Sequence, residues 1–583
     1  MKAWRGALLA AAFALDAEAG IGSAADAISI GEIEKTLHAI DHDRTSGRDG
    51  ELQAAAYLER KLDEYGVPHR RHAVRAYLSW PVSAELALAG QPGTIAAVTP
   101  SFAASTPPEG LTAEVVFLTA GPEDDLSPIR QDVRGKIAVA SGLISPESVW
   151  RAQQAGAAGL VHVNLTDVLH EMTATTVWGT PTPESAARIP RIPVLSISKA
   201  DGERLRAAAT RGVKARLRTR VERGWREIPL VVAEVPGLTA DFVLVATHLD
   251  AWYSGMTDTA GTVASILEMA RVLAGRRLER GVRFAWWPGH SFGRYPGSTW
   301  YADRFWSELD RHCVAYTNLD GSGRRGSLTD AVEAGGWPGL REWSREFAAT
   351  LTGKTPEGAA EVHLFRPGRD SDSAFQGLGI PEFEIGVPGP PDGHPDVEPS
   401  GLIRYWHTAQ DTLDKLDFAA LELDTKYRVA QIEALAGPPL LPHRLAPIAA
   451  AFREALEPLA REAGGRVDLA GALEQVARLS GLAVRFDEAP APPDSAGLAR
   501  RNRLLIAATH RLNAALYARS GRFEQDWAAA LPVLPLLAGV RELAAMPKDS
   551  DAAGFEETEL LRGRNQLEAA LTQAADDLEA YFR

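Results

Sequence analysis

Apolar and polar residues follow two different spacings along this chain, one typical of helices and one typical of buried strands. Apolar positions recur at helical spacing over five stretches, residues 33–40, 51–65, 446–463, 498–520 and 556–582. Short apolar runs predict strands at 133–140, 159–163, 192–197, 242–246 and 282–286, with helical patterns between them at 149–158 and 261–273. This alternation predicts an α/β fold with a mostly parallel sheet flanked by helices.

The order of these elements predicts several domains, because 583 residues exceed what one hydrophobic core supports. A compact group of strands interrupts the main α/β pattern, and the strands stop after Pro439. The predicted parts are a signal peptide or leader at 1–27, a catalytic α/β domain at 28–95 and 225–437, an inserted domain at 96–224, and a helical C-terminal domain at 438–583.

The net charge and the cysteine content limit which partners the chain can bind and which residues can hold a metal. The formal net charge of -14 repels phosphate backbones, so we expect no nucleic-acid partner. Cys313 is the only cysteine, so any bound metal must be held by His, Asp or Glu. No stretch after the N-terminal residues approaches the roughly 18 apolar residues of a membrane-spanning helix.

The first residues have the order of a secretory signal. Lys2 and Arg5 precede an apolar run at 6–15, and small residues follow at 17 and 19. This pattern predicts export to the periplasm or the extracellular space, and the leader of a cytoplasmic protein is the alternative interpretation.

Polar residues that could hold a cation follow several predicted strands. His248 and Asp250 end one strand and stand two residues apart, so their side chains leave the same side of it. Asp258 precedes a helix, Asp320 follows an apolar strand, and His407 lies in a polar segment. Each of these residues alone is more often a cap or a turn residue. Together, His248, Asp258, Asp320 and His407 offer the nitrogen and oxygen ligands that Zn²⁺ accepts.

Five short motifs occur in the order found in a family of metal-dependent exopeptidases. They are His248-Leu-Asp250-Ala-Trp252, Gly255-Met-Thr-Asp258, Gly297-Ser298-Thr299, Asn318-Leu-Asp320 and His407-Thr408-x-x-Asp411. In these motifs the chain resembles the two-zinc aminopeptidase and carboxypeptidase family that includes glutamate carboxypeptidase II and transferrin receptor. The insertion at 96–224 is similar to the protease-associated domain of that family, and the helical tail resembles its dimerisation domain.

The resemblance implies a role for each candidate residue. His248, Asp258 and Asp320 would hold one ion, and Asp258 would bridge to a second ion that His407 also binds. Asp250 would act in catalysis by orienting His248. The resemblance further implies zinc as the cofactor, with one or two divalent ions bound, a peptide or small-molecule substrate, and a homodimer.

The chain departs from the family where two adjacent glutamates are expected. His290 and Ser291 occupy these positions, which in the family hold the general base and a ligand of the second ion. Three hypotheses follow: His290 takes over proton transfer from water, His290 ligates the second cation, or the metals are lost. We favour a metal-dependent hydrolase of an amide or peptide-like small substrate. The alternatives are a metal-dependent lyase with His290 as base and a catalytically inactive dimeric binding protein.

Residues near the motif segments are candidates for substrate binding. They are Arg294, Tyr295, Arg324, Ser371 and Asp372. The guanidinium groups could hold a substrate carboxylate in a bidentate manner. The loop with Ser371 and Asp372 is one that the family directs toward the site.

Overall fold

The computed structural model describes residues 23–119, 129–353, 371–528 and 531–583, so most of the predicted leader at 1–27 lies outside the described residues. The strands are β1 His69–Leu88, β2 Ile95–Ala96, β3 Leu111–Ala113, β4 Val115–Phe117, β5 Ile137–Ser141, β6 Gly159–Val163, β7 Val194–Ile197, β8 Ala215–Val235, β9 Phe242–His248, β10 Gly281–Trp287, β11 Cys313–Asn318, β12 Glu333–Gly336 and β13 Phe383–Gly386. The α-helices are α1 Ser23–Asp26, α2 Ile30–Ala39, α3 Asp49–Tyr65, α4 Pro146–Gln154, α5 Lys199–Thr210, α6 Gly261–Leu273, α7 His290–Gly293, α8 Pro296–His312, α9 Pro338–Thr352, α10 Phe418–Ala436, α11 Ala446–Glu462, α12 Ala470–Glu488, α13 Ser495–Tyr517, α14 Val540–Ala545 and α15 Asp551–Phe582.

The main sheet brings the predicted motif strands side by side. Its strand order is β11-β9-β10-β8-β1-β2, and β3 also pairs with β8. The strands β9, β10 and β11 are parallel neighbours, whereas β10 with β8 and β8 with β1 are antiparallel pairs. The predicted α/β fold with helices on a sheet is confirmed. The sheet is nevertheless mixed, and only the three strands that lead to the motif residues are parallel.

Both faces of the parallel part are covered, which explains why residues 242–246 of β9 are all apolar. Val243 and Val245 pack with helix α6 in one core, and Leu244 and Ala246 pack with helix α8 in another. Because successive side chains of a strand point to opposite faces, two covered faces require an unbroken apolar run. The polar residues that follow β9 therefore lie at the edge of the sheet where the parallel strands end.

The two long strands β1 and β8 pair along nearly their whole length, from His69 opposite Ala233 to Leu88 opposite Ala215. The β1 signal is an alternation in which Val74, Ala76, Leu78 and Trp80 are buried. Arg75, Tyr77 and Ser79 lie between these positions, and the run before them at 69–72 is polar, so the pattern is weak and neither strand is among the sequence-based predictions. β8 runs without a break across the boundary predicted between residues 224 and 225.

The inserted domain has its own sheet and its own cores. Its four parallel strands have the order β4-β5-β6-β7. Two separate clusters of buried apolar residues fill it, one around Leu195 and Ile197 and one around Val149 and Leu160. The strands predicted at 133–140, 159–163 and 192–197 correspond to β5, β6 and β7.

The C-terminal region is helical, as predicted, and it shares a core with the α/β domain. One cluster of buried residues runs from the N-terminal helices through α6 to Leu479 in α12 and Leu578 in α15. Helix α12 was not predicted, because Gly471 and Gly481 weaken its local helical signal. Within the described residues, no helix combines the length and the apolar character that crossing a membrane would need.

Candidate metal centre

His248 is the last residue of β9 and lies at the end of the parallel strands with its side chain fully buried. Its Nδ1 donates a hydrogen bond to the carbonyl of Asp250 at 2.7 Å, so in the neutral ring Nε2 carries the lone pair. That Nε2 is buried without a hydrogen-bond partner among the described residues and lies 3.6 Å from Oδ1 of Asp320. Burial alone lowers the pKa of His248, but the carboxylate of Asp320 and more distant acids outweigh burial and raise this pKa to about 10.

Asp320 follows β11 and faces His248 from the neighbouring strand. Burial acts to raise the pKa of Asp320, but the interaction with His248 and the hydroxyl of Ser371 outweigh it and lower that pKa well below its usual range. Asp320 therefore stays ionised, and together with His248 it forms a pocket that favours positive charge.

Asp258 lies on a single turn of π-helix, Met256–Ala260, that leads into α6. The carboxylate of Asp411 accepts hydrogen bonds from the backbone N–H groups of Thr257 at 2.9 Å and Asp258 at 3.0 Å, which fixes this turn. The indole of Trp406 donates to Oδ1 of Asp258 at 2.8 Å. The other oxygen, Oδ2, is buried and has no hydrogen-bond partner among the described residues.

His407 faces Asp258, with Nε2 lying 3.7 Å from Oδ1 of Asp258. Its Nδ1 donates to the carbonyl of Glu171 at 2.7 Å, and its ring stacks on Trp406 with centroids 3.4 Å apart. Burial lowers the pKa of His407 to about 4, so the ring is neutral at physiological pH and keeps its Nε2 lone pair.

The four predicted ligands thus meet as two pairs, His248 with Asp320 and His407 with Asp258. Each pair combines an imidazole nitrogen with a carboxylate oxygen, a donor set that zinc accepts. Buried atoms without a partner, Nε2 of His248 and Oδ2 of Asp258, are costly to leave unsatisfied, and a cation would satisfy both. The chemistry of these residues therefore fits divalent metal ions.

Asp250 has a different task from the predicted one. Its carbonyl, and not its carboxylate, accepts from His248. The carboxylate accepts from the backbone N–H groups of His290 and Ser291, each at 2.9 Å, and so caps the N-terminus of the short helix α7. Through these two hydrogen bonds the carboxylate of Asp250 positions the backbone of His290.

His290 lies at the same site as the predicted ligands, and its ring is held in place through Nδ1. Its Nδ1 donates to Oδ2 of Asp372 at 2.9 Å, and Ser298 donates to the other oxygen of Asp372 at 2.6 Å. Gly289 has a φ of 84°, and a Cβ there would lie 2.5 Å from Pro296, so the turn that presents His290 requires glycine. His248, His290 and Asp320 each offer a donor atom, and these atoms lie within 4.8 Å of one another.

The rings of His248 and His290 are stacked, with centroids 3.7 Å apart and planes 15° from parallel. The lone pair of an imidazole nitrogen lies in the plane of its ring. Two nearly parallel planes at this separation do not converge within the roughly 2.1 Å of a zinc–nitrogen bond. The stacking therefore disfavours coordination of one ion by both rings.

The predicted substrate-binding residues divide into two groups. Asp372 is fully buried with both carboxylate oxygens engaged, and Ser371 accepts from the side chain of Asn318 at 2.9 Å. Arg294 is buried, donates to the carbonyl of Thr175 in the inserted domain, and lies over the ring of Trp178. Asp372 and Arg294 therefore support the site through these contacts, and their role in substrate binding stays a prediction.

Tyr295 and Arg324 form the second group, and both are half-buried. Tyr295 is half-buried and places its ring edge against His290 at a centroid distance of 4.8 Å. Arg324 folds so closely over Gly321, the residue after Asp320, that a Cβ at 321 would collide with its guanidinium. The Nε of Arg324 has no hydrogen-bond partner among the described residues.

Three residues that support the ligands were not predicted. Trp406 and Asp411 occur in the His407 motif itself, so their position in the sequence was a signal that could have been used. Glu171 lies in the inserted domain, 236 residues away from His407, and it contacts His407 through its backbone. A backbone contact carries no residue-type signal, so the sequence offered no means to predict it.

Comparison with known proteins identifies the class to which this fold and site belong. Residues 231–427 match the family model described as Peptidase family M28, and residues 93–205 match that of the PA domain. The chain therefore carries the fold of the metal-dependent exopeptidases with an inserted protease-associated domain. The part of the chain that is similar to Peptidase family M28 is residues 231–427, about a third of the sequence.

Curated relatives are similar over part of their length. The chain is 25% identical over 340 residues to the Probable glutamate carboxypeptidase VP8 of Zea mays, a match covering 47% of this chain and 48% of that protein. It is 28% identical over 283 residues to Carboxypeptidase Q of Xenopus laevis, covering 44% and 58%. The match to the Probable lipoprotein aminopeptidase LpqL of Mycobacterium tuberculosis is 24% over 449 residues, covering 71% and 85%. The matches thus span roughly half the length of the first two relatives.

Solved structures agree with the fold. An aminopeptidase from Aneurinibacillus sp. strain AM-1 superimposes with a TM-score of 0.55 at 22% identity, covering 72% of this chain and 97% of that one. The zinc aminopeptidase BSAP from Bacillus subtilis gives 0.51 at 21% identity, covering 70% and 95%. At these identities the likeness establishes the architecture.

Proposed function

We propose that this chain is a metal-dependent hydrolase that cleaves an amide bond in a peptide or peptide-like small substrate, with His290 as the proton acceptor. Bound zinc would supply Lewis-acid polarisation of the scissile carbonyl and of water. The proposal is supported above all by His290, whose Nδ1 is engaged by Asp372 at 2.9 Å. Because Nδ1 donates to a carboxylate, Nε2 of the neutral ring is left to accept a proton.

His290 could act as a general base or as a metal ligand. Its stacking on His248 favours the role of general base. Asp372 would stabilise the imidazolium that forms when His290 accepts a proton, since a buried carboxylate 2.9 Å from Nδ1 offsets the new charge. His290 can then return the proton to the leaving amine. No carboxylate of the missing glutamate pair is required for this cycle.

We further propose two metal positions of unequal affinity. His248, Asp320 and Asp258 would hold the tighter ion, and His407 with Asp258 the weaker one. Ser291 stands where the family has a carboxylate ligand, and its hydroxyl is buried without a hydrogen-bond partner among the described residues. A neutral hydroxyl is a poorer zinc ligand than a carboxylate, so the second ion loses a ligand.

Three finer points complete the proposal. Arg324 and Tyr295 would contact the substrate, with Arg324 pairing with a carboxylate group. The helical C-terminal region would form a homodimer, which sedimentation at several concentrations would test. The N-terminal residues would direct export, which N-terminal sequencing of the mature protein would test.

The decisive experiment separates turnover from metal binding. We expect the zinc-loaded chain to release amino acids from a panel of dipeptides and N-acyl amino acids. We expect His290→Ala to lower kcat by roughly 100-fold or more while its zinc content stays unchanged. Zinc loss in His290→Ala would instead support the ligand hypothesis. No turnover of any substrate by the zinc-loaded wild-type chain would contradict the proposal.

A further inference from the structure

Two residues of the sequence motifs, Ser298 and Asn318, are not proposed metal ligands, and yet both contact the loop behind the metal centre. Ser298 is fully buried in α8, and Asn318 is the last residue of β11, two positions before Asp320. Ser298 forms a hydrogen bond with Asp372, and Asn318 forms one with the preceding residue, Ser371. These two adjacent residues form a support dipeptide that connects both motifs to the centre.

A hydrogen-bond network leads from the end of β10 to the carboxylate of Asp320. The indole Nε1 of Trp287 donates to the hydroxyl of Tyr316 at 3.2 Å, and this hydroxyl donates to Oδ1 of Asn318 at 2.9 Å. The Nδ2 of Asn318 donates to Oγ of Ser371 at 2.9 Å, and the side chain of Ser371 interacts with the carboxylate of Asp320. An indole can only donate and an ionised carboxylate can only accept, so the two ends fix the direction of every hydrogen bond between them.

The network crosses the sheet on the strands that carry the proposed ligands. Trp287 ends β10 and Tyr316 lies in β11, so their hydrogen bond spans β9, the strand between them that ends at His248. Both Trp287 and Tyr316 are fully buried. Hydrogen bonds in a buried network polarise one another, and a missing member leaves its partners unsatisfied at a high cost. The network therefore anchors the support dipeptide to the sheet.

The two members of the support dipeptide act on different groups of the centre. Ser371 has a φ of 49°, a left-handed conformation that is unfavourable for a residue with a Cβ. The side chain of Ser371 interacts with Asp320, whereas the carboxylate of Asp372 accepts from His290 at 2.9 Å. A shift of the dipeptide would therefore move the support of a proposed ligand and the support of the proposed base together.

Two hydroxyl groups fix the Asp372 end of the dipeptide. Ser298 donates to Oδ1 of Asp372 at 2.6 Å, and the carbonyl of Tyr295, at 3.2 Å, is the more distant acceptor for the same proton. The hydroxyl of Tyr316 also lies 3.3 Å from the carbonyl of Asp372. Tyr316 thus contacts both Asn318 and the dipeptide itself.

We propose that Tyr316, Asn318 and Ser298 are positioning residues that act on the reaction through the support dipeptide. Tyr316 and Asn318 orient the metal ligand Asp320, and Ser298 orients the base His290. This inference rests on the proposed function, because it assigns the three side chains to that hydrolysis.

Zinc affinity tests the network that ends at Asp320. Tyr316→Phe and Asn318→Leu each remove hydrogen bonds from it and keep the ring or the branching of the side chain. We expect each variant to bind the tighter zinc ion about 10-fold more weakly, because partners of metal ligands typically contribute roughly 10- to 100-fold to affinity. Competition with a chromophoric chelator measures this affinity.

Tyr301→Phe is the matched control for Tyr316→Phe. It removes the hydroxyl of another buried tyrosine from the same core, one that pairs with Arg283 outside the network. Tyr301→Phe should bind zinc as wild type does. Zinc affinity that is unchanged in both Tyr316→Phe and Asn318→Leu would overturn the assignment of these two residues.

Steady-state kinetics tests the role of Ser298. Ser298→Ala should lower kcat about 10-fold while KM and zinc affinity stay unchanged, because the serine acts on His290 and not on the metal. In an Asp372→Asn background, Ser298→Ala should cause no further loss, a coupling that a merely structural role would not give. Ser344→Ala, at a fully buried serine of α9 whose hydroxyl has no hydrogen-bond partner among the described residues, is the matched control and should keep kcat. A wild-type kcat in Ser298→Ala, or additive losses in the double variant, would refute the role of Ser298.

Failure of this inference is distinguishable from failure of the proposed function. A zinc-loaded wild-type chain without turnover would contradict the proposed hydrolysis, and with it the role of Ser298. Wild-type turnover that persists undiminished in Ser298→Ala, Tyr316→Phe and Asn318→Leu would leave the hydrolysis standing and contradict the positioning roles alone.

Discussion

At the scale of single residues, two carboxylates fix the position of His290. Asp250 holds the N-terminus of α7 through two N–H groups, and Asp372 holds the Nδ1 of His290. The imidazole of His290 is thereby held in place both through the backbone of this residue and through its ring Nδ1. Because two sets of hydrogen bonds orient the ring, little conformational entropy would be lost when His290 accepts a proton. This is the advantage of a preorganised base.

Asp372→Asn tests this support directly. An amide cannot compensate the charge of an imidazolium, so we expect kcat to fall by roughly 100-fold while KM changes little. The double variant Asp372→Asn with His290→Ala should be no slower than His290→Ala alone, because the two residues act as one unit. Steady-state kinetics measures all three variants.

The neighbouring change Ser291→Ala is the matched control for Asp372→Asn, because the Ser291 hydroxyl has no hydrogen-bond partner among the described residues. Ser291→Ala should keep most of the turnover. A loss in Ser291→Ala as large as that in Asp372→Asn would point to a general distortion of α7 and would count against the paired roles.

The burial of His443 predicts how the folding stability depends on pH. It is buried, its Nε2 donates to the carbonyl of Val314 at 2.8 Å, and burial lowers its pKa to about 3 from an unfolded value near 6.5. The unfolded chain therefore takes up a proton below pH 6.5 that the folded chain does not, and folding stability falls as the pH drops from 6.5 toward 3.

Comparison of the wild-type chain with His443→Gln isolates this effect. The stability advantage of wild type should shrink by up to about 1.4 kcal/mol per pH unit between pH 6 and 4. Chemical denaturation at several pH values measures it. A difference between the two proteins that does not change with pH would show that His443 titrates alike in the folded and unfolded chains.

At the scale of elements, the inserted domain contacts the segment that carries the proposed ligand His407. The carbonyl of Glu171 accepts from the ring Nδ1 of His407 at 2.7 Å, the N–H of Glu171 donates to the carbonyl of His407 at 3.0 Å, and His170 donates to the carbonyl of Trp406 at 2.6 Å. These contacts hold His407 at a φ of 54°, a left-handed conformation that is unfavourable for a residue with a Cβ. A ligand loop of the catalytic domain thus depends on a segment of the insertion.

His170→Ala should loosen this loop. His170 also faces Glu398 at 3.6 Å, and both side chains are buried, so the variant removes two links between the insertion and the loop. We expect the affinity for the weaker zinc ion to fall about 10- to 100-fold, with the tighter ion unaffected. Competition with a chromophoric chelator measures both steps. Leu165→Ala, at a side chain 40% exposed in the same segment, is the control and should bind zinc as wild type does.

Some of these strands and contacts could be predicted from the sequence and others could not, for physical reasons. The parallel strands were predictable because both faces are buried and the runs are apolar, and the ligands were predictable because they follow such strands. The pairing of β1 with β8 depends on residues about 150 positions apart whose polar faces dilute the apolar signal. The support of His290 by Asp372 is likewise a tertiary contact, across 82 residues, that no local spacing encodes.

At the scale of the whole molecule, the cores predict how the protein unfolds. The α/β and helical regions share one buried cluster, whereas the inserted domain packs in two other clusters, one of which also takes in Leu86 and Leu88 of β1. A shared core makes two regions lose their structure together, and a separate core allows independent unfolding.

Calorimetry should therefore resolve two transitions. Leu195→Ala, in the insertion, should lower only one of them, and Leu479→Ala, in α12, only the other. Both leucines are fully buried, so each change should cost about 2–5 kcal/mol. A single transition lowered equally by both variants would mean that the long β1 and β8 strands couple the insertion to the rest.

The central claim is that residues far apart in the sequence converge on divalent ions, and the metal content of the purified chain tests it most directly. After dialysis against buffer that contains zinc, we predict at least one tightly held zinc ion per wild-type chain, and none held tightly by His248→Ala. A wild-type chain that keeps no zinc, or a His248→Ala chain that keeps as much as wild type, would contradict the account.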